Sequence, residues 1–179
     1  MTVAVHGPLS EHDTRLLTVA ALNGIFQGRI DETVNDVNAP AIAAERGIEV
    51  AEQRLAGSRH YTNLVRVAVT AGDAEIDVAG TTVGPEHRLF LAAARGFSID
   101  IELATHMAFL SYADLPGVIG KVGTMFGEAG VNIANMAVSR TTEGGTALMA
   151  FSIDSPAPPE LVQRVEASGF DAVRFIELG

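Results

Sequence analysis

Asp114, Asn132 and the backbone at Gly117 and Val118 are the groups in this sequence whose types and spacing best suit chemistry. They lie in one stretch, Asp114 to Arg140, DLPGVIGKVGTMFGEAGVNIANMAVSR. It reads as a helix start, a helix, a glycine stop and a strand. N–H groups near Gly117 and Val118 have no intrahelical partner at a helix start, so they can receive a carboxylate. Asp114 can hold an ammonium group, and the Asn132 amide both donates and accepts. Together these groups suit a free amino acid, which carries one group of each charge. The same residues also suit plain structural roles, Asp114 as an N-cap and Asn132 as a turn residue, and spacing alone favours those roles.

The elements that must position these groups follow from periodicity. Val118, Ile119, Val122, Met125, Phe126 and Ala129 recur at helical spacing and predict one apolar face. Pro116 suits a first turn, and Gly130 a left-handed stop. Gly120, Gly123 and Gly127 form a stripe on the same helix, each costing about 1 kcal/mol against alanine. Such a stripe predicts a neighbouring backbone at close range.

Upstream, Thr2 to His6 alternates as a strand. Ser10, with Asp13 three residues on, reads as a capping box. A helical face follows to about Phe26, and a second short helix is predicted over Ala41 to Arg46, stopped by Gly47. From Ile48 the period becomes two. Strands are predicted over Ile48–Leu55, Leu64–Thr70, Glu75–Val83 and Phe97–Leu103, with a hairpin turn at Ala71-Gly72-Asp73. Helices followed by a run of strands make an α+β arrangement. We place a domain boundary near Ile101, giving domains 1–101 and 102–179.

Composition narrows the function classes. The 179 residues are 47% apolar and carry a net charge of −10. That charge argues against nucleic acid and anionic membranes as partners. There is no cysteine, hence no thiolate nucleophile or thiolate metal site, which fits a cytoplasmic protein. No apolar run is long enough to span a membrane. His6, His12, His60, His87 and His106 are scattered, so no metal site is expected. Domains of this size bury little surface each, so association is expected.

Three motifs in order carry a resemblance. Asp114-Leu115-Pro116-Gly117, Gly130-Val131-Asn132-Ile133 and Gly144-Gly145-Thr146-Ala147-Leu148 resemble an ACT domain, a ferredoxin-like βαββαβ amino-acid-binding module. The first part, through Asp13–Leu22, Val37-Asn38-Ala39-Pro40-Ala41, Ala44–Ile48, Gly80-Thr81, Pro85, Arg88 and Arg95-Gly96-Phe97, is similar to the intervening domain of long-form D-3-phosphoglycerate dehydrogenase. That domain is also called the allosteric substrate-binding domain.

The resemblance implies the C-terminal regulatory half of that enzyme in serine biosynthesis. It implies L-serine or another small amino acid as ligand between paired ACT domains. A homo-oligomer and the parent's catalytic domains are the implied protein partners. Tyr112, Asp114, Gly117, Val118 and Asn132 are the implied contacts, although Tyr112 and Asp114 stand where relatives have His-x-Asn. It further implies a possible anion site in the intervening domain, for which Arg59, His60, Arg88 and Arg95 are the basic candidates. Glu102 stands where some relatives carry a basic residue. NAD belongs to the implied parent enzyme, because no glycine-rich turn here opens a helix after a strand. The fragment is expected to be non-catalytic and to need no cofactor. Two other readings remain at this point: a ligand-free dimerisation module, and the regulatory chain of an L-serine dehydratase.

Overall fold

The computed structural model describes residues 1–58 and 60–178. The chain divides into two compact units, Met1–Gly84 and Pro85–Gly179.

The first unit opens with β1 (Thr2–His6), a 3-10 turn (Pro8–Glu11), α1 (Arg15–Phe26) and α2 (Ala39–Glu45). Three strands follow: β2 (Ala51–Leu55), β3 (Leu64–Ala71) and β4 (Ala74–Val83). They pair in the order β2-β1-β3-β4, with β2 parallel to β1 and the other pairs antiparallel. The predicted turn between β3 and β4 is formed, with Gly72 at positive φ. Leu22 and Phe26 of α1 pack with Ala39, Ile42 and Ala43 of α2 to make this unit's core.

The expected capping box at Ser10 is not formed. Pro8 starts a 3-10 turn that contains Ser10, whose N–H donates to the Gly7 carbonyl. α1 begins later, where the Asp13 carboxylate accepts the Arg15 N–H at 3.1 Å. The Val37–Ala41 motif has a structural role. Asn35 and Asn38 exchange side-chain-to-backbone bonds, the Asn35 N–H donating to Asn38 Oδ1 at 2.8 Å. This loop delivers Ala39 and Pro40 into the first turn of α2, with Ala39 fully buried.

The second unit begins with a hairpin, β5 (Arg88–Ala94) and β6 (Phe97–Glu102). Next come β7 (His106–Ala113), α3 (Val118–Glu128), β8 (Ile133–Arg140), β9 (Thr146–Ile153), α4 (Pro159–Glu166) and β10 (Ala172–Glu177). The last four strands pair antiparallel in the order β10-β7-β9-β8, which with α3 and α4 is the predicted βαββαβ arrangement.

Both faces of this sheet are apolar at its centre, because β7 and β9 carry hydrophobic residues at odd and even positions alike. Ala108, Leu110, Met149 and Phe151 face Val122, Met125 and Phe126 of α3 and Leu161 and Val165 of α4. Met107, Leu148 and Ala150 face Ile99 and Ile101 of the β5–β6 hairpin. β5 was not among the predicted strands. Pairing with β6 makes it, through a turn in which Arg95 and Gly96 both have positive φ.

The helix start also differs from expectation. Asp114 is not the N-cap: Gly117 is, at φ 90. The residue before Pro116 is biased away from helix, and a left-handed Gly117 cannot lie inside one, so α3 starts at Val118. Val122, Met125 and Phe126 are buried as predicted, but Ile119 and Ala129 are exposed. The predicted close backbone at Gly120, Gly123 and Gly127 is absent within the described residues, since a Cβ there would meet open space. The stop is as read: Gly130 at φ 70 donates to Gly127, and Val131 donates to Phe126, the two bonds of a Schellman motif.

Candidate ligand site of the ACT sheet

The site is built on the row Tyr112–Ala147–Arg140. These residues pair across β7, β9 and β8 and so point to the helix face together. Tyr112 is buried, its ring edge-on to Phe170 with centroids 6.1 Å apart. Burial, and secondarily the charge of Asp114, push its phenol pKa up.

Asp114 follows β7 and is anchored by its N–H to the Gly145 carbonyl at 2.7 Å. Its carboxylate accepts from an Arg140 guanidinium nitrogen at 3.1 Å. Beside the pair lies a cleft of about 530 Å³. Gly117 and Val118 at the start of α3 line it, together with Tyr112, Leu115, Ile119 and Val138. Glu143 also lines it, so one cation and two carboxylates face this space.

Four of the five predicted contacts, Tyr112, Asp114, Gly117 and Val118, therefore share one cleft. Asn132 does not join them within one chain. It stands just before β8, and its amide donates to Asp154 at 2.8 Å. Arg140 ends the same strand, and eight residues at ~3.3 Å each separate the two ends by roughly 25 Å.

Of the basic candidates, Arg88 and Arg95 lie in the second unit and do not converge. Arg88 and Arg95 flank the two ends of β5, roughly 20 Å apart at strand spacing. Arg88 is paired with Glu102 at 2.9 Å and lies over the Phe90 ring at 5.6 Å. Arg59 lies outside the described residues, and His60 is exposed in the loop after β2.

Sequence reasoning missed Arg140 and Glu143. Arg140 closes the stretch first singled out, but its position opposite Tyr112 depends on the register of three strands. It also missed Glu52 in the first unit, whose carboxylate accepts from Thr14 at 3.2 Å and from Thr18 at 2.6 Å.

Comparison with known proteins decides the family. Residues 1–92 match the D-3-phosphoglycerate dehydrogenase intervening domain, and residues 106–170 match the ACT domain. The chain belongs to the D-3-phosphoglycerate dehydrogenase intervening-domain family. Relatives named D-3-phosphoglycerate dehydrogenase are similar over nearly the whole chain. The Archaeoglobus fulgidus protein is 33% identical over 179 residues, covering 98% of this chain and 34% of the relative. The Bacillus subtilis protein is likewise 33% identical, over 99% of this chain and 34% of its own length. A Mycobacterium tuberculosis H37Rv relative is 33% identical over 98% of the chain and 33% of its own length. The chain thus spans about a third of the length of these relatives.

Among the described residues, β7 enters α3 through Asp114-Leu115-Pro116-Gly117, which has a single glycine, and β9 enters α4 through a proline-rich segment. Neither is the glycine-rich turn that brings a backbone against a pyrophosphate. No helix among the described residues is long and apolar enough to cross a membrane.

Proposed function

We propose that this chain is the regulatory region of a D-3-phosphoglycerate dehydrogenase, binding a small free amino acid, L-serine first, between two paired ACT domains. The observation that carries this reading is the placement of Asn132 just before β8 and of Asp114 beside its far end, paired with Arg140, β8 being an edge of its sheet. An edge strand offers unpaired N–H and C=O groups to a second copy. Antiparallel, two-fold pairing of two β8 edges carries one copy's Asn132 toward the other copy's Asp114, so the five predicted contacts meet only across the pair.

The ligand then bridges two chains and favours one arrangement of the pair. Catalytic domains attached to this region would feel that choice, with a coupling typically of ~1–3 kcal/mol. NAD-linked chemistry would rest with such domains. The match of residues 1–92 favours this reading over the regulatory chain of a serine dehydratase.

A second reading, pairing without ligand, is favoured by one observation: Asp114 already has a partner in Arg140. Titration calorimetry of the chain with L-serine, alongside sedimentation, separates the two. Saturable binding to a dimer is expected. At a hundred times its dissociation constant, serine adds about 2.7 kcal/mol of stability, visible as a rise in melting temperature. A well-folded dimer with neither response would leave pairing without ligand as the function.

A further inference from the structure

The charge arrangement of the ACT cleft goes beyond this reading and rests on it. Asp114 and Arg140 both present their charged ends to the cleft, 3.1 Å apart, and their backbones are tied to one another. Arg140 pairs with Ala147 of β9, and Asp114 donates its N–H to Gly145 two residues before Ala147. The two charges are therefore held at fixed roots, while the Arg140 side chain is 57% exposed.

We propose that this ion pair is a two-point receptor for a zwitterion. An α-amino acid inserts between the two side chains, its ammonium on Asp114 and its carboxylate on Arg140. The exchange is neutral: one ion pair becomes two, and no charge is left unmatched. The arginine fork suits a carboxylate because two N–H groups can meet both oxygens.

The same arrangement sets specificity. A hydroxy acid can take Arg140, but it leaves Asp114 without a cation beside a new anion. Glu143 on the wall adds a second carboxylate to that repulsion. A phosphorylated hydroxy acid brings more negative charge and is disfavoured further. An amino amide can take Asp114 but leaves Arg140 unpaired. The cleft thus selects for both charges together, and Arg140 is a binding residue of the site.

The test titrates the whole chain with L-serine, L-serinamide and glycerate, the last having a hydroxyl in place of the amine. The chain should prefer L-serine to each analogue by about tenfold or more, the usual effect of one charge-assisted hydrogen bond. Asp114→Asn should collapse the preference over glycerate and keep the preference over serinamide. Arg140→Gln should do the reverse, and Arg140→Lys, which keeps the charge but not the fork, should recover part of the preference over serinamide.

Serine binding that neither substitution changes, or analogues that bind as tightly as serine, would overturn the receptor while leaving the amino-acid site in place. Absence of serine binding by the unaltered chain would overturn the functional reading and the receptor with it.

Discussion

The two sheets of this molecule differ in how their faces are closed. In the second unit, β9 is buried at every position but its first, because helices cover one face and the β5–β6 hairpin covers the other. In the first unit, one sheet face runs from closed to open. Val3 and Val5 of β1 are buried, yet on the same face Val69 is 39%, Val78 44% and Ile76 57% exposed. The physical reason is supply. α1 and α2 cover the region of β1, and Val69, Ile76 and Val78 of β3 and β4 stay exposed among the described residues. The second unit adds a hairpin where the first has no further element among the described residues. Packing closure, more than strand count, then sets where stability lies.

This comparison is broken most directly by core truncation. Phe126→Ala removes a ring that is fully buried, edge-on to Phe151 at 5.0 Å and stacked on Phe175. It should destabilise the second unit by about 3–5 kcal/mol. Ile76→Ala on the open face of the first sheet should fall within about 0.5 kcal/mol of the parent chain. Urea unfolding followed by tyrosine fluorescence checks both, with Tyr112 reporting the second unit. Equal losses would mean that β3 and β4 are covered in solution, for example by another copy.

Two glycines sharpen the contrast at smaller magnitude. Gly7 has φ 83, and a Cβ there would lie 1.9 Å from the Thr62 backbone oxygen. Gly7→Ala should therefore cost the first unit ~2 kcal/mol or more, from left-handed strain and a clash with backbone. Gly123 in α3 has helical φ and open space around a Cβ, so Gly123→Ala should stabilise the second unit by about 1 kcal/mol. Melting curves give both signs. If Gly123→Ala instead weakens self-association in sedimentation, the glycine stripe is a contact between copies.

What was legible in the sequence tracks locality. The segment from β7 to β8 could be read because helical period, Gly130 and Asn132 are local signals. The strand β5 could not. Its sequence, RLFLAAA, has no alternation and three alanines, and it becomes a strand by pairing with β6. The cap was misplaced for a local reason that was available: Pro116 and Gly117 together delay a helix. In the cleft, Tyr112, Asp114, Gly117 and Val118 were legible from resemblance and spacing. Arg140 was not, because only the register of β7, β9 and β8 places it opposite Tyr112.

Titration gives the smallest and most local tests. Tyr112 holds its phenol proton more tightly in the folded chain than unfolded, since burial and then Asp114 disfavour the phenolate. The stability this contributes is fully present below a pH of about 10, the ordinary tyrosine value, and is lost as pH rises through the higher folded value. Tyr112→Phe should flatten the fall in melting temperature above that pH, and absorbance at alkaline pH should show one late phenol fewer.

Asp13 in the first unit is the opposite case. Hydrogen bonds from the Arg15 side chain and backbone lower its pKa to about 2, although it lies fully at the surface. Its contribution is present above the ordinary carboxylate value of about 3.9 and is lost as pH falls toward the folded value. Arg15→Gln should raise the Asp13 pKa toward the ordinary carboxylate value in a carboxyl NMR titration. The melting temperature near neutral pH should hardly move, because solvent screens an exposed pair. A large drop in melting temperature would show that this pair anchors the start of α1. The closing of the first unit would then depend on a surface charge that the second unit, with its two covered faces, does not need.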